Sequence, residues 1–377
     1  MTFAVVATLL LFQAGGGPPL PNGWDVLVAA QKCVGDRKWN EARAKAEELL
    51  ARKDLIPNTR AEGEWVLVQT FEATEEWAKD AAACTRALQE KGIPYRSRFH
   101  LTKVRALRKS NDGKGAAQAY AQSFEDAARE PVRSTRWSEM NALLSNIVGN
   151  PIKSESLLSL LEAAKALKQD KSTGMQAALG ALSYHQNQPK EAVLAFDKAR
   201  AVWKDDPILL RWTVMAATFD RQLDYALSLR KELKALIAVE KKNLNGSLLD
   251  SLKPLDERFS ETCGYAEDPA MARKFVRTLL GEDDLFGNSN IFGYLLGFIK
   301  DEKLIEETDA ALAKSVTHPG QRLAARWPAA EAWIVMGKFE KALACYKDVS
   351  EANGWSKTDV DGAAQMVAHI QQRAKKP

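Results

Sequence analysis

Apolar residues recur every three or four positions through almost the whole chain from Trp24 onward, and no long stretch alternates strictly between apolar and polar residues. The first pattern places apolar side chains on one face of a helix, whereas the second would indicate a strand. The sequence therefore predicts an all-α protein in which amphipathic helices follow one another.

Prolines divide these predicted helices at regular intervals. Pro57, Pro94 and Pro131 are 37 residues apart, and Pro207 follows Pro131 by 76 residues. Proline is accepted in the first turn of a helix but breaks its interior, so evenly spaced prolines indicate units of equal length.

A second series of positions marks the same units. Each unit has a residue, usually alanine, that opens a helix, and these openers occur at positions 42, 80, 116, 192, 226 and 342. The short steps of 34 to 38 residues agree with the proline interval, and weaker units fill the two long steps. We expect about eight helix pairs, because a single pair cannot bury its apolar faces alone, and a C-terminal capping helix over 357–376.

Several units resemble the tetratricopeptide repeat (TPR). The residues that carry the resemblance, as positions where helices pack, are Ala42, Gly180, Ala192, Phe196, Gly337, Ala342 and Tyr346. The resemblance implies a right-handed superhelical solenoid of stacked antiparallel helix pairs. The spacing is mostly 36 to 38 residues against 34 in the family, and a second helix that is one turn longer explains most of the excess. A helical array of another family, or a helical toroid, is the alternative.

The strength of the resemblance suggests three regions. Residues 1–23 precede the repeats, residues 24–244 form TPR-like repeats, and residues 245–377 form degenerate repeats with the capping helix. The resemblance is weak over 132–172 and 245–316.

The chain begins with an apolar segment, Phe3–Phe12, which is followed by a stretch rich in Gly and Pro. A run this short is typical of the hydrophobic region of a secretion signal and is too short to span a bilayer. No Lys or Arg precedes it. We predict export to a periplasm or cell envelope, with a short apolar tail on a cytoplasmic protein as the alternative.

Composition excludes several classes of function. The 53 Lys and Arg against 49 Asp and Glu leave a net charge of only +4, which gives no general attraction to nucleic acid. The four Cys and four His are far apart, and no P-loop, Rossmann glycine pattern, nucleophile elbow or HExxH motif occurs. We therefore expect no cofactor, no metal and no stable membrane span, with the cysteines buried singly in the core.

The third unit carries the most concentrated charge, with eight Lys or Arg and one acid between Lys91 and Lys114. On a helix, one arc of about 100° would contain Arg98, Leu101, Arg105, Arg108 and Lys109. The TPR resemblance implies that this arc belongs to an inner surface that holds a protein or peptide. The cations then predict an acidic or carboxylate-ending segment as the ligand, with a solvated charged face as the alternative.

We favour a non-catalytic scaffold or adaptor, and two other classes of function remain open. Ten Trp and the acids Glu282, Asp283 and Asp284 would suit an enzyme that cleaves glycans between paired carboxylates. The same Trp residues would also suit the core, and Ser289 or Asn290 would simply cap the next helix. The other class is a structural subunit that binds its own copies.

Overall fold

The computed structural model describes residues 22–93, 95–146, 154–167, 171–240, 252–282, 285–316, 321–351 and 357–374. These residues form nineteen α-helices and one short 3-10 helix, Phe286–Asn288, and they contain no strand. The prediction of an all-α protein is confirmed. Every helix in these ranges is too short or too polar to cross a bilayer.

The helices follow one another as nine consecutive pairs and a last single helix, one pair more than expected. In chain order they are α1 Trp24–Gly35, α2 Trp39–Leu50, α3 Pro57–Ala73, α4 Trp77–Gln89, α5 Arg96–Lys109, α6 Gly113–Ala128, α7 Arg133–Asn146, α8 Ser154–Ala166, α9 Thr173–His185, α10 Pro189–Arg200, α11 Pro207–Phe219, α12 Leu223–Glu240, α13 Leu252–Tyr265, α14 Pro269–Leu280, α15 Ser289–Ile299, α16 Glu302–Ser315, α17 Arg322–Val335, α18 Phe339–Glu351 and α19 Lys357–Ala374.

The chain divides into two compact units, residues 1–212 and residues 213–377. The predicted leader falls almost wholly on residues 1–21, outside the described residues. The predicted change from regular to degenerate repeats at 244/245 likewise falls on residues 241–251, and both stay predictions.

In seven of the pairs whose connection is described, the same three-residue turn joins the two helices. The middle residue of the turn has a positive φ between 53° and 71°. The N–H of the third residue donates to the carbonyl oxygen five residues earlier, at 2.8 to 3.1 Å. The middle residues are Arg37, Glu75, Asn111, Asn187, Arg221, Glu267 and Gly337. This cap satisfies the last carbonyls of the first helix and reverses the chain, so that the second helix runs back along the first.

The turn also fixes which residues of the second helix face the core. Five positions after each middle residue is a fully buried opener: Ala42, Asp80, Ala116, Ala192, Ala226, Ala272 and Ala342. One helical turn later is a second buried position: Ala46, Cys84, Tyr120, Phe196, Arg230, Val276 and Tyr346. The turn after α13 follows the same rule, so a region of weak resemblance still contains a regular pair. Two charged residues, Asp80 and Arg230, occupy positions that are otherwise apolar or aromatic.

The structure shows how small and large residues fit together inside a pair. A Cβ atom added to Gly180 would lie only 2.4 Å from the ring of Phe196, so glycine lets α9 and α10 approach closely. Gly337, which the sequence suggested as a packing residue, is instead exposed in a turn with a φ of 71°. Its value there is conformational, because residues with a Cβ rarely adopt a positive φ.

Helices α7 and α8 interrupt the regular order of pairs in unit 1. Helix α9 packs directly on α6, and α8 packs on both of them. At the crossing, the N–H of Gly174 donates to Glu125 Oε1 at 2.6 Å, and a Cβ on Gly174 would lie 2.3 Å from the carbonyl oxygen of Ala121. Helix α7 packs on α5 and α6. Helices α7 and α8 pack on these other helices rather than on each other, so they form a side branch and not a regular pair. This accounts for the weak resemblance over 132–172.

Candidate functional site

Helices α3 and α5 each present a half-buried stripe with the same spacing. The stripe on α3 consists of Glu62, Trp65, Gln69 and Glu72, and the stripe on α5 consists of Arg98, Leu101, Arg105 and Arg108. Each residue on α5 follows its counterpart on α3 by 36 residues, so one repeat superposes on the next. We call these eight residues the α3–α5 face.

Opposite charges pair across this face. Arg98 donates a hydrogen bond to Glu62, and Arg105 forms an ion pair with Glu72. Each of these side chains is partly shielded from water, which strengthens the attraction relative to a fully exposed pair. Two of the predicted cations are thus already neutralised by the neighbouring helix.

Aromatic rings hold Arg98 in a fixed orientation. Its guanidinium carbon lies 4.8 Å from the ring centroid of Trp65 and 4.7 Å from that of Phe99. The two rings meet edge to face with their centroids 5.3 Å apart. Cation–π attraction and the ion pair therefore act on the same group, and Arg98 forms a rigid part of the surface.

The remaining positive charge lies at the end of α5. Burial lowers the pKa of the Arg108 guanidinium, and Lys109 Nζ lies 5.7 Å from the ring centroid of Trp77. No carboxylate in the described part of the chain pairs with either residue. The face therefore ends at Arg108, with the exposed Lys109 next to it, and both cations are available to an anionic group. Leu101 adds apolar surface to the face.

Two buried titratable groups lie in the same repeats. Burial lowers the pKa of His100 to about 4, and its Nε2 lies 3.5 Å from Asp126 Oδ2. Burial, and then the charge of Glu72, raise the pKa of Asp80 to about 7. Asp80 Oδ1 accepts a hydrogen bond from the thiol of Cys84 at 3.6 Å. His100 is thus neutral at pH 7 and adds nothing to the positive charge of the face.

The acidic loop after α14 has a structural role at its first residue. Glu282 Oε1 accepts from Arg230 Nη1 at 2.7 Å and lies 3.1 Å from Lys234 Nζ. Although burial opposes it, these contacts hold the pKa of Glu282 below its ordinary value. Arg230 also binds both carboxylate oxygens of Asp256, and Arg230 and Asp256 are each only 2% exposed. This cluster ties α12 and α13 to the end of α14.

The structure describes only some of the other residues that the sequence suggested for a glycan-cleaving enzyme. Asp283 and Asp284 lie outside the described residues. The helix after them begins at Ser289 and its N-cap residue is Asn288, so neither Ser289 nor Asn290 caps it. Among the tryptophans, Trp137, Trp212 and Trp333 are buried in the core. The described residues contain no group of three or more His, Cys, Asp or Glu suited to a metal ion.

Sequence reasoning found the cations of α5 but missed both of their ion pairs. The signal was present, because the interval of 36 residues places Glu62 beside Arg98. The Arg230 cluster was missed as well. The sequence signal for this cluster is Arg230 itself, a charged residue at a buried position that the other pairs fill with apolar or aromatic side chains.

Comparison with known proteins adds a likeness of fold. No protein-family model matches this chain, and no curated protein has a matching sequence. The chain resembles solved TPR structures. The TPR domain of P58(IPK) is 11% identical, with 94% of this chain and 100% of that chain covered and a TM-score of 0.26. Yeast Tom70 is 12% identical, with 94% and 97% covered and a TM-score of 0.23.

A third similar structure is the Naa15/Naa10 complex bound to HypK-THB, which is 12% identical over 97% of this chain and 75% of that chain, with a TM-score of 0.25. Seven helix pairs of this chain are defined by its own turns.

Proposed function

We propose that this protein is a non-catalytic scaffold or adaptor that binds another protein or a peptide on the α3–α5 face. The observation that supports this is a half-buried surface whose charged side chains are held by ion pairs and aromatic rings. Side chains that are already ordered lose little conformational entropy when a partner binds. Such a surface is suited to recognition, whereas a freely solvated charged face is not.

We further propose that the bound segment carries an acidic side chain or a C-terminal carboxylate. Its anionic group would bind Arg108 and Lys109 at the end of α5, because these cations lack a carboxylate partner in the described chain. Glu62 and Glu72 would repel an anion elsewhere on the face. An apolar side chain of the segment would pack on Leu101.

Export to a periplasm or cell envelope is part of the proposal, and it is supported by the apolar segment Phe3–Phe12. Mass spectrometry of the mature protein from its own cells should show that roughly the first twenty residues are missing. An intact N-terminus on the mature protein would contradict export through a cleaved signal.

The binding proposal is tested with arrayed synthetic peptides that end in acidic residues, each made as the free acid and as the C-terminal amide. We expect the free acids to bind more tightly. Arg108→Glu and Lys109→Glu should each weaken binding by about tenfold or more, as for hot-spot charges. Lys114→Glu is the matched control, because Lys114 is an exposed cation on α6 outside the face. Equal binding by wild type and the two α5 variants would show that the face is not the site.

A further inference from the structure

Unit 2 exposes three large apolar side chains on successive first helices of its pairs. Tyr265 on α13 is 75% exposed, Tyr294 on α15 is 47% exposed and Val335 on α17 is 52% exposed. Isolated exposed apolar residues are common on protein surfaces, but contiguous ones indicate an interaction site. We call these three residues the tyrosine patch.

Glycines in the neighbouring helices bring the three side chains together. Helix α15 packs on both α13 and α17. The Tyr294 hydroxyl lies against the backbone of α13, 2.1 Å from where a Cβ on Gly264 would be. Val335 Cγ2 lies 3.5 Å from the Cβ position of Gly297 on α15. The tyrosine patch therefore lies on three helices that pack side by side.

The repeat itself does not require apolar residues here. Tyr265 and Val335 are the last residues of their helices, as is Phe219 of α11, and the equivalent residues in unit 1 are Gly35, Ala73, Lys109 and His185. The same turn follows each of these helices. Because the turn forms equally well after a small or a charged residue, folding does not explain the exposed apolar side chains of unit 2.

Carboxylates flank the tyrosine patch on α13. Glu257 and Glu261 are exposed and precede Tyr265 by two turns and one turn of the helix. The carboxylate of Glu261 lies 3.1 Å from Arg258, and both side chains of this pair are 50% exposed. A pair this exposed contributes little stability, so an incoming cation can replace Arg258 beside Glu261 at small cost.

We propose that the tyrosine patch is a docking surface for a segment of another protein in which Lys or Arg adjoins a large apolar side chain. The apolar side chain would cover Val335 and Tyr294. The cation would lie over the exposed ring of Tyr265 and approach Glu261, where cation–π attraction and an ion pair act together. This surface suits a basic segment, whereas the α3–α5 face suits an acidic one, so the inference stands independently of the proposed function.

The test is a selection of random dodecapeptides, displayed on phage, against the immobilised full chain, followed by affinity measurement for the selected peptides. We expect Lys or Arg next to Leu, Phe or Trp in these peptides. Tyr265→Ser and Val335→Ser should each weaken binding about tenfold, as expected for interface anchors. Both side chains are mostly exposed, so these variants should fold normally. Glu261→Gln should weaken binding and reduce its dependence on salt.

Two control variants make the result specific. Val239→Ser removes an apolar side chain of α12 that is 79% exposed, and it should bind as tightly as wild type. Arg108→Glu alters only the α3–α5 face and should also leave binding unchanged. The inference is overturned by selected peptides that are acidic, by failure to select any peptide that requires Tyr265, or by an equal loss in either control.

Discussion

At the scale of single residues, six turns use a residue with a Cβ where a glycine would be least strained. The middle residues of these turns have φ between 53° and 61°. Only the seventh turn has a glycine, Gly337, which adopts a positive φ without strain. We expect Glu75→Gly to raise the free energy of unfolding by about 0.5–1 kcal/mol, because it removes the contact of Cβ with the backbone. Urea unfolding of the variant measures this difference.

The reverse substitution serves as the control for this prediction. Gly337 has no atom within 4 Å of its Cβ position, so Gly337→Ala adds only backbone strain. It should lower the free energy of unfolding by a similar amount. Equal stabilities of all three proteins would show that the left-handed turns carry no strain.

Asp80 gives a pH-dependent contribution to stability. It is a buried carboxyl group where six other pairs have alanine, and its pKa rises from 3.8 unfolded to about 7 folded. Between these pH values the folded protein holds a proton that the unfolded chain releases, so stability falls as pH rises through this window. Asp80→Asn should remove the fall and stabilise the protein at pH 8 by about 1 kcal/mol or more. Urea unfolding at pH 5 and pH 8 measures both effects.

His100 acts in the opposite direction over nearly the same pH range. Its pKa is lowered from 6.5 to about 4 by burial, so the unfolded chain binds the extra proton and stability falls as pH falls. The two groups offset each other in the wild-type profile. For this reason the comparison of Asp80→Asn with wild type at each pH, rather than the wild-type profile alone, isolates Asp80. An unchanged difference between pH 5 and pH 8 would contradict the assignment.

At the scale of helices, the crossing of α9 on α6 depends on one glycine. A Cβ on Gly174 would lie 2.3 Å from the Ala121 carbonyl oxygen, which is backbone and cannot rotate away. Gly174→Ala should therefore push the helices apart and lower the free energy of unfolding by about 2 kcal/mol. Thermal unfolding monitored by circular dichroism measures the loss.

The matched control for the crossing is Gly113→Ala. The Cβ position of Gly113 is 3.6 Å from Ala163, an ordinary contact, so alanine fits there without movement. Alanine favours the helix over glycine, and this variant should be at least as stable as wild type. A similar loss in both variants would assign the effect to glycine itself and not to the crossing.

Helices were predictable from the sequence wherever their interactions are local. Apolar periodicity depends on residues within one helix, and the proline at the start of a unit depends on its own first turn. The openers at 42, 116 and 192 are all buried in the structure. The contact of α9 with α6 was not predictable, because it joins helices separated by a whole pair. The ion pair of Glu62 with Arg98 was predictable only in part. It follows from the repeat length, but only once the helix pairs are known to stack.

At the scale of the whole molecule, four cysteines lie in four different helix pairs. Cys33, Cys84, Cys263 and Cys345 are all buried, and none of the four forms a disulfide. Burial also raises the pKa of Cys263 to about 12, which keeps its thiol protonated and unreactive. We expect slow labelling of the folded protein by a thiol reagent, with Cys33 and Cys345, at 8% and 9% exposure, labelled before the fully buried pair.

Peptide mapping of the labelled sites by mass spectrometry measures this order. Each thiol then reports the opening of its own pair, because neighbouring pairs in a repeat array unfold with different free energies. Simultaneous labelling of all four at the rate of global unfolding would contradict independent opening. Addition of a reductant should leave the melting temperature unchanged, since none of these four cysteines is in a disulfide.

The side branch formed by α7 and α8 has a consequence for how this chain tolerates change. Helix α9 packs directly on α6, so the succession of packed pairs continues from α6 to α9 and does not depend on α7 and α8. Added or deleted residues in the connection between α7 and α8 would therefore not shift the pairs on either side out of register. A domain inserted in this connection would leave the packing of the other helix pairs unchanged. The same insertion in a three-residue turn would separate the two helices of a pair.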